Sequence, residues 1–127
     1  MLEKEVMQSV AKRLEVYKFS KVILWWERLN SGKVRTEYGS WVQMCQKGTP
    51  DFIAVIYDKN KNIKVLFFEC KRSDGKGTIR LEQKIFMQEM EKYKDIHCHI
   101  IENPKEVDAI INKLGYDSTV ELPENIG

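Results

Sequence analysis

The sequence has no apolar run approaching the roughly 20 residues a membrane-crossing helix needs. Its opening, Met1-Leu2-Glu3-Lys4-Glu5, is charged from the third residue, so no secretory leader is read there and a soluble, cytoplasmic protein is expected. Cysteine is scarce. Cys45, Cys70 and Cys98 are an odd number with no C-x-x-C pair, which excludes a disulfide framework and a zinc knuckle, and buried free thiols are expected. His97-Cys98-His99 does not make a soft-metal site either, because in a strand the two histidines share one face and Cys98 points away. Seven glycines and three prolines are too few for a low-complexity chain, and there is no internal repeat. The net charge of +2, from 21 cations and 19 anions, is too small for a whole-molecule field that announces a polyanion. A chain of 127 residues can bury one core but not two.

What is present is periodic. Met7, Val10, Leu14 and Tyr17, widened by Leu2 and Val6, predict an amphipathic helix over about Leu2–Tyr17. Lys21–Leu29 is β-branched and aromatic and reads as a strand ended by Asn30-Ser31-Gly32. Val34–Gln46 is a second extended segment, expected to pair back in a hairpin with an irregularity at Gly39. After the Gly48-Thr49-Pro50 break come two apolar runs, Asp51–Tyr57 and Ile63–Cys70, joined by the polar turn 58–62. Apolar on both faces, they suit central strands of a sheet covered by helices. A loop at 73–77, a helix over about Ile79–Lys94, a strand His97–Ile101 and a helix Pro104–Leu114 follow, with Gly115 as the stop. The expectation is an α/β fold, a mixed sheet flanked by helices. Its order is helix, three to four strands, helix, strand, helix, in one domain over 1–115 with a poorly ordered tail over 116–127.

The chemistry sits where an apolar strand turns charged. Along Val65–Lys71, alternation puts Leu66, Phe68 and Cys70 on one face and Val65, Phe67, Glu69 and Lys71 on the other. A carboxylate and an ammonium at the end of a buried strand are costly unless they are paired or hold an ion. Hairpin pairing brings Asp51, at the start of the adjoining strand, beside the end of the Glu69 strand. Two carboxylates and a lysine at one sheet edge are what metal-assisted phosphodiester hydrolysis asks for. Hard oxygens hold Mg²⁺, and the lysine orients or deprotonates water and meets developing negative charge. The bland alternative, a surface Glu-Lys pair beside a loop-capping Asp51, does not explain why the strand is apolar up to Glu69.

Two polar residues interrupt apolar stripes. Gln83 does so among Ile79, Phe86, Met90 and Tyr93, and Glu3 one turn before Met7. Glu5 falls toward Ser9 and Lys12 and is the weaker candidate. Lys71, Arg72, Lys76, Arg80 and Lys84 form a local basic cluster against Asp74 and Glu82, suited to phosphates.

With Glu3, Gly48-Thr49-Pro50-Asp51, Phe68-Glu69-Cys70-Lys71 and Gln83 in this order, residues from about Leu2 to Leu114 resemble the PD-(D/E)xK nuclease superfamily. The likeness is to its stand-alone VRR-NUC type from phages and bacteria. The resemblance implies a restriction-endonuclease-like fold and a metal held by Asp51, Glu69 and the main-chain carbonyl of Cys70. It also implies catalysis by Lys71, support from Gln83, a helix carboxylate at Glu3, and DNA contacts from Arg72, Lys76, Arg80 and Lys84. Mg²⁺ is the implied cofactor, with Mn²⁺ as a substitute. Branched DNA such as a four-way junction is the implied substrate, in the cytoplasm or that of a phage-infected host. A homodimer is expected because a junction needs two nicks and one site makes one at a time. Trp25 and Trp26 face opposite ways in the first strand, so one of them, with Trp41, needs cover from a partner or from a helix of the same chain. One departure stands out. Relatives begin the second helix with Leu-Ser-x-x-Gln, whereas this chain has Ile79-Arg80-Leu81-Glu82-Gln83, so Thr78 is expected to cap in place of the serine. Two alternatives are a nicking or restriction-like nuclease without junction preference and an inactive DNA-binding module of the same fold. Metal binding together with plasmid nicking separates them.

Overall fold

The two apolar runs on either side of the 58–62 turn become the middle of a sheet, and the other elements are arranged around them. The computed structural model describes residues 1–29 and 32–115. In chain order these form α1 (Glu3–Phe19), β1 (Ile23–Arg28), β2 (Lys33–Arg35), β3 (Trp41–Gln43), β4 (Phe52–Tyr57), β5 (Ile63–Cys70), α2 (Leu81–Met90), β6 (Ile96–Ile101) and α3 (Lys105–Leu114). The expected α/β class is found. The expected tail, together with Asn30 and Ser31 after the first strand, lies outside the described residues.

The main sheet has the order β1-β4-β5-β6, with β4 antiparallel to both neighbours and β6 parallel to β5 after the α2 crossover. Asp58 builds the turn that sets the β4–β5 register. Its Oδ1 accepts the backbone N–H groups of Asn60 at 2.8 Å and Asn62 at 2.9 Å.

One face of the sheet presents Phe52, Ala54, Ile56, Leu66, Phe68, Cys70 and Ile101 to Val6, Val10 and Leu14 of α1 and to Val107 and Ile111 of α3. All of these are buried. Asp108 of α3 accepts from Arg13 Nε at 3.1 Å and Tyr17 Oη at 2.6 Å, tying α1 to α3. Burial, with Asp108 beside it, pushes the Tyr17 hydroxyl up to about 12. The other face is covered by α2, where Phe86 meets Phe67 edge-on at a centroid distance of 5.1 Å. No residue of α2 is fully buried, so this side is thinner.

Several expectations are corrected. Val34–Gln46 makes its hairpin within itself: β2 and β3 pair only with each other, Gly39 (φ +81°) sits in their turn, and the partner of β1 is β4. The physical reason is burial. Against β4, Ile23 and Trp26 reach cover from α1, whereas all six residues of β2 and β3 are exposed. Trp26 lies beside Phe52 and donates to Glu15 Oε2 at 2.8 Å, while Trp25 stays exposed. The second helix is shorter than its stripe. It ends at Met90, before Tyr93, whose N–H closes a turn on the Met90 carbonyl and whose ring is exposed. Leu2, expected on the apolar stripe of α1, is instead its exposed N-cap residue. Of the three thiols only Cys70 is buried; Cys45 and Cys98 are half-buried. Among the described residues no helix is long and apolar enough to cross a membrane.

Candidate metal centre and basic rim

The register pairs Phe52 with Phe68, so Asp51 stands one step on, across from Glu69 on the α2 face. Two bonds fix that end of β4. Asp51 Oδ2 accepts the Cys70 N–H at 2.8 Å, and the Asp51 carbonyl accepts the Leu29 N–H at 2.7 Å. Glu3 arrives from the first turn of α1, whose start is tied to the chain just beyond β5 by the Ser73 N–H bonding to the Met1 carbonyl at 3.1 Å. Glu3, Asp51 and Glu69 each offer a carboxylate oxygen, and the three oxygens lie within 4.8 Å of one another. Glu5 is used elsewhere: its Oε1 accepts the Leu2 N–H at the helix start, 3.4 Å away. Of the two glutamates in the first turn of α1, Glu3 is therefore the one that joins the cluster.

Lys71 and Gln83 complete the cluster. Gln83 Nε2 donates to Glu69 Oε2 at 2.7 Å, and its Oε1 accepts from Lys71 Nζ at 3.1 Å. Lys71 Nζ is also 3.4 Å from Glu69 Oε2. The same Gln83 Oε1 accepts the Arg80 N–H at 3.0 Å, closing the first turn of α2. Arg80, not Thr78, is the N-cap residue, and Gln83 supplies the capping bond that the missing serine does not. The amide does all three things at once, which neither charged group could: a carboxylate has no donor for Glu69 and an ammonium no acceptor for Lys71.

Glu69 and Lys71 are both buried. Burial, followed by the charge of Asp51, pushes the Glu69 carboxyl up to about 8, with Lys71 opposing the shift. Burial also raises the Cys70 thiol far above its ordinary value, with Asp51, Glu69 and Glu3 adding to it, so it stays protonated. Its side chain lies on the core face, away from the carboxylates. A cluster short of positive charge, with hard oxygen donors only, fits an Mg²⁺- or Mn²⁺-sized cation and not a soft-metal ion.

The cleft over this cluster holds about 390 Å³ and is rimmed by Arg72, Lys76 and Arg80. Lys84 is exposed on α2 but does not line the cleft. Arg72 is partly committed, its Nη2 lying 2.6 Å from Asp74 Oδ2. Two glycines, Gly77 in the basic loop and Gly48 in the break before Asp51, shape the site by close packing, beyond the loop and the break read from the sequence. A Cβ on Gly77 would come within 2.9 Å of the Lys71 Cβ, so the basic loop packs directly on the lysine stem. Gly48, at φ +89°, presses its backbone against Glu82 in the first turn of α2, where a Cβ would meet the carbonyl at 2.4 Å. The Gly-Thr-Pro and Gly-Lys-Gly signatures could have flagged both as close approaches. Compared with protein-family models, curated proteins and solved structures, the chain matches none.

Proposed function

We propose that the protein is a metal-dependent DNA endonuclease that hydrolyses phosphodiester bonds, with branched DNA such as four-way junctions as its substrate. The observation that carries this is the convergence of Glu3, Asp51 and Glu69 beside a buried lysine that an amide holds in place. A salt bridge alone needs neither the second and third carboxylates nor a cleft with a basic rim. A divalent cation bound there supplies charge neutralisation at the phosphate and makes water a better nucleophile. Glu3, Asp51 and Glu69 hold it, with the Cys70 carbonyl as the further ligand that the family resemblance implies.

Lys71 sets its ammonium beside the carboxylates, where it orients the attacking water and meets the charge that develops on the phosphate. Gln83 keeps that ammonium and the Glu69 carboxylate in register. Arg72, Lys76, Arg80 and, farther out, Lys84 neutralise flanking phosphates and orient the strand. The described residues hold one such cluster, enough for one nick at a time. Resolving a junction needs two nicks, so the proposed active form is a homodimer whose two-fold axis matches that of the junction.

Incubating the full chain with duplex, single-stranded, flap and four-way DNA in Mg²⁺, Mn²⁺ or EDTA tests this. Cation-dependent cleavage that is fastest on the junction is expected. Equal rates on linear duplex and junction remove the branched-substrate reading, and no cleavage of any DNA with either metal removes the nuclease reading.

A further inference from the structure

The excursion between β1 and β4 leaves and returns at Asp51. Leu29, just after β1, donates its N–H to the Asp51 carbonyl, and on the return Gly48 is pressed against the first turn of α2. The β2–β3 ribbon is thereby anchored at the same end of the sheet as the acidic cluster. Its side chains do not serve the core. Trp41 is 64% exposed and Tyr38, at the turn, 88%, while Val34, Val42 and Met44 are each about half exposed.

The register gives the ribbon two faces. Arg35 pairs with Trp41 and Lys33 with Gln43, which puts those four on one side and the Val34–Val42 pair on the other. The Arg35 guanidinium lies over the Trp41 ring, 5.9 Å from its centroid. Charge is concentrated here as well. Residues 33–47 hold Lys33, Arg35 and Lys47 against Glu37 alone, a local surplus of cations in addition to the one at 71–84. An exposed indole flanked by two cations offers a base a stacking surface and its phosphates a counter-charge at once. Bases inside a duplex are already stacked, so such a ring discriminates in favour of unpaired ones.

We propose that the β2–β3 ribbon is a second nucleic-acid contact, in which Trp41 stacks on an unpaired base while Lys33 and Arg35 take the adjoining phosphates, so that strand openings are held next to the acidic cluster. This rests on the reading of the chain as acting on DNA and adds what it recognises there.

The test uses the full chain in EDTA, so that nothing is cut, and fluorescein-labelled DNA. One probe is a fork with single-stranded arms, the other a blunt duplex of the same length. Wild-type protein is expected to prefer the fork. Trp41→Ala should weaken fork binding by roughly tenfold or more, leave blunt-duplex binding unchanged, and keep the wild-type circular dichroism spectrum and, in a separate titration without EDTA or DNA, wild-type Mn²⁺ binding. Trp41→Phe should restore most of the fork preference. Equal binding of fork and duplex by the wild type, or equal weakening of both by Trp41→Ala, overturns the proposal. So does a Trp41→Ala protein that loses only a concentration-dependent dimer, because the ribbon is then an interface between copies. A Trp41-dependent fork preference in a wild-type protein that cleaves no DNA leaves this contact standing and removes the nuclease reading alone.

Discussion

Gln83 meets three demands with one amide, and separating them by mutation is informative. Gln83→Glu keeps acceptors for Lys71 and the Arg80 N–H but loses the donor to Glu69 and adds a charge beside it. A like charge nearby makes the Glu69 proton harder to remove. The expected outcome is a rate about tenfold lower at neutral pH, a pH–rate profile displaced to higher pH, and a melting temperature close to wild type. Gln83→Ala also loses the capping bond, so it should lower the rate and additionally cost about 1 kcal/mol of stability. Melting curves and pH–rate profiles of the two variants check this. A Gln83→Ala protein that melts early yet cuts at the wild-type rate makes Gln83 a helix-start residue only. Asp51, Glu69, Lys71 and Gln83 were legible in the sequence because strand alternation, a short turn and a 3.6-residue period are local rules. Glu3 is preferred to Glu5 in the sequence only by its place on the stripe; what fixes the choice is where the α1 start docks, through Met1 and Ser73, against a segment 72 residues along the chain.

At the scale of elements, the site depends on α2 standing close to β5 although none of its residues is fully buried. Gly48 lets the chain before Asp51 reach that helix without a gap. Gly48→Ala must place a methyl 2.4 Å from the Glu82 carbonyl, in a backbone conformation L residues disfavour. The expected cost is about 1–3 kcal/mol, read as a drop in melting temperature of roughly 4–12 °C. Loss of cation-dependent activity should accompany it as Gln83 shifts. A wild-type melting curve for Gly48→Ala contradicts this close packing.

Element types were readable because apolar periodicity tracks burial; pairing was readable only across the short 58–62 turn. The β2–β3 ribbon and the short α2 escape such a reading for a common reason. Both segments carry large apolar residues that the fold leaves in solvent, Trp41 and Tyr38 in one and Tyr93 just past the other, and a pattern of apolar residues does not reveal which are covered.

For the whole molecule, pH separates the site from the scaffold. The raised Glu69 carboxyl holds a proton that the unfolded chain releases above about 4.5, so between there and about 8 the folded state binds more protons than the unfolded. Stability from this group is therefore present at the acid end of that window and lost as pH rises through it. His99 runs the other way. Burial, with His97 and Lys113 adding to it, depresses this imidazole, so stability is lost as pH falls below its ordinary value of 6.5. A divalent cation at the carboxylates displaces the Glu69 proton. The stabilisation by 10 mM Mg²⁺ (the melting temperature with it minus that in EDTA) is thus expected to grow steadily from pH 5 to pH 8. A difference that stays flat with pH contradicts the coupling.

Glu3, Asp51 and Glu69 are proposed to hold the cation through which this chain would cut DNA. Cleavage of a labelled four-way junction by wild-type and Asp51→Asn proteins, purified in parallel and titrated with Mg²⁺, tests this role most directly. The substitution keeps the side-chain shape and removes one cation-binding charge, while affinity for DNA comes mostly from phosphate contacts. Mg²⁺-dependent cleavage by the wild type is expected, with a loss of about a thousandfold or more in the variant and junction binding retained. Wild-type cleavage that persists in EDTA, or full activity in Asp51→Asn, contradicts this role.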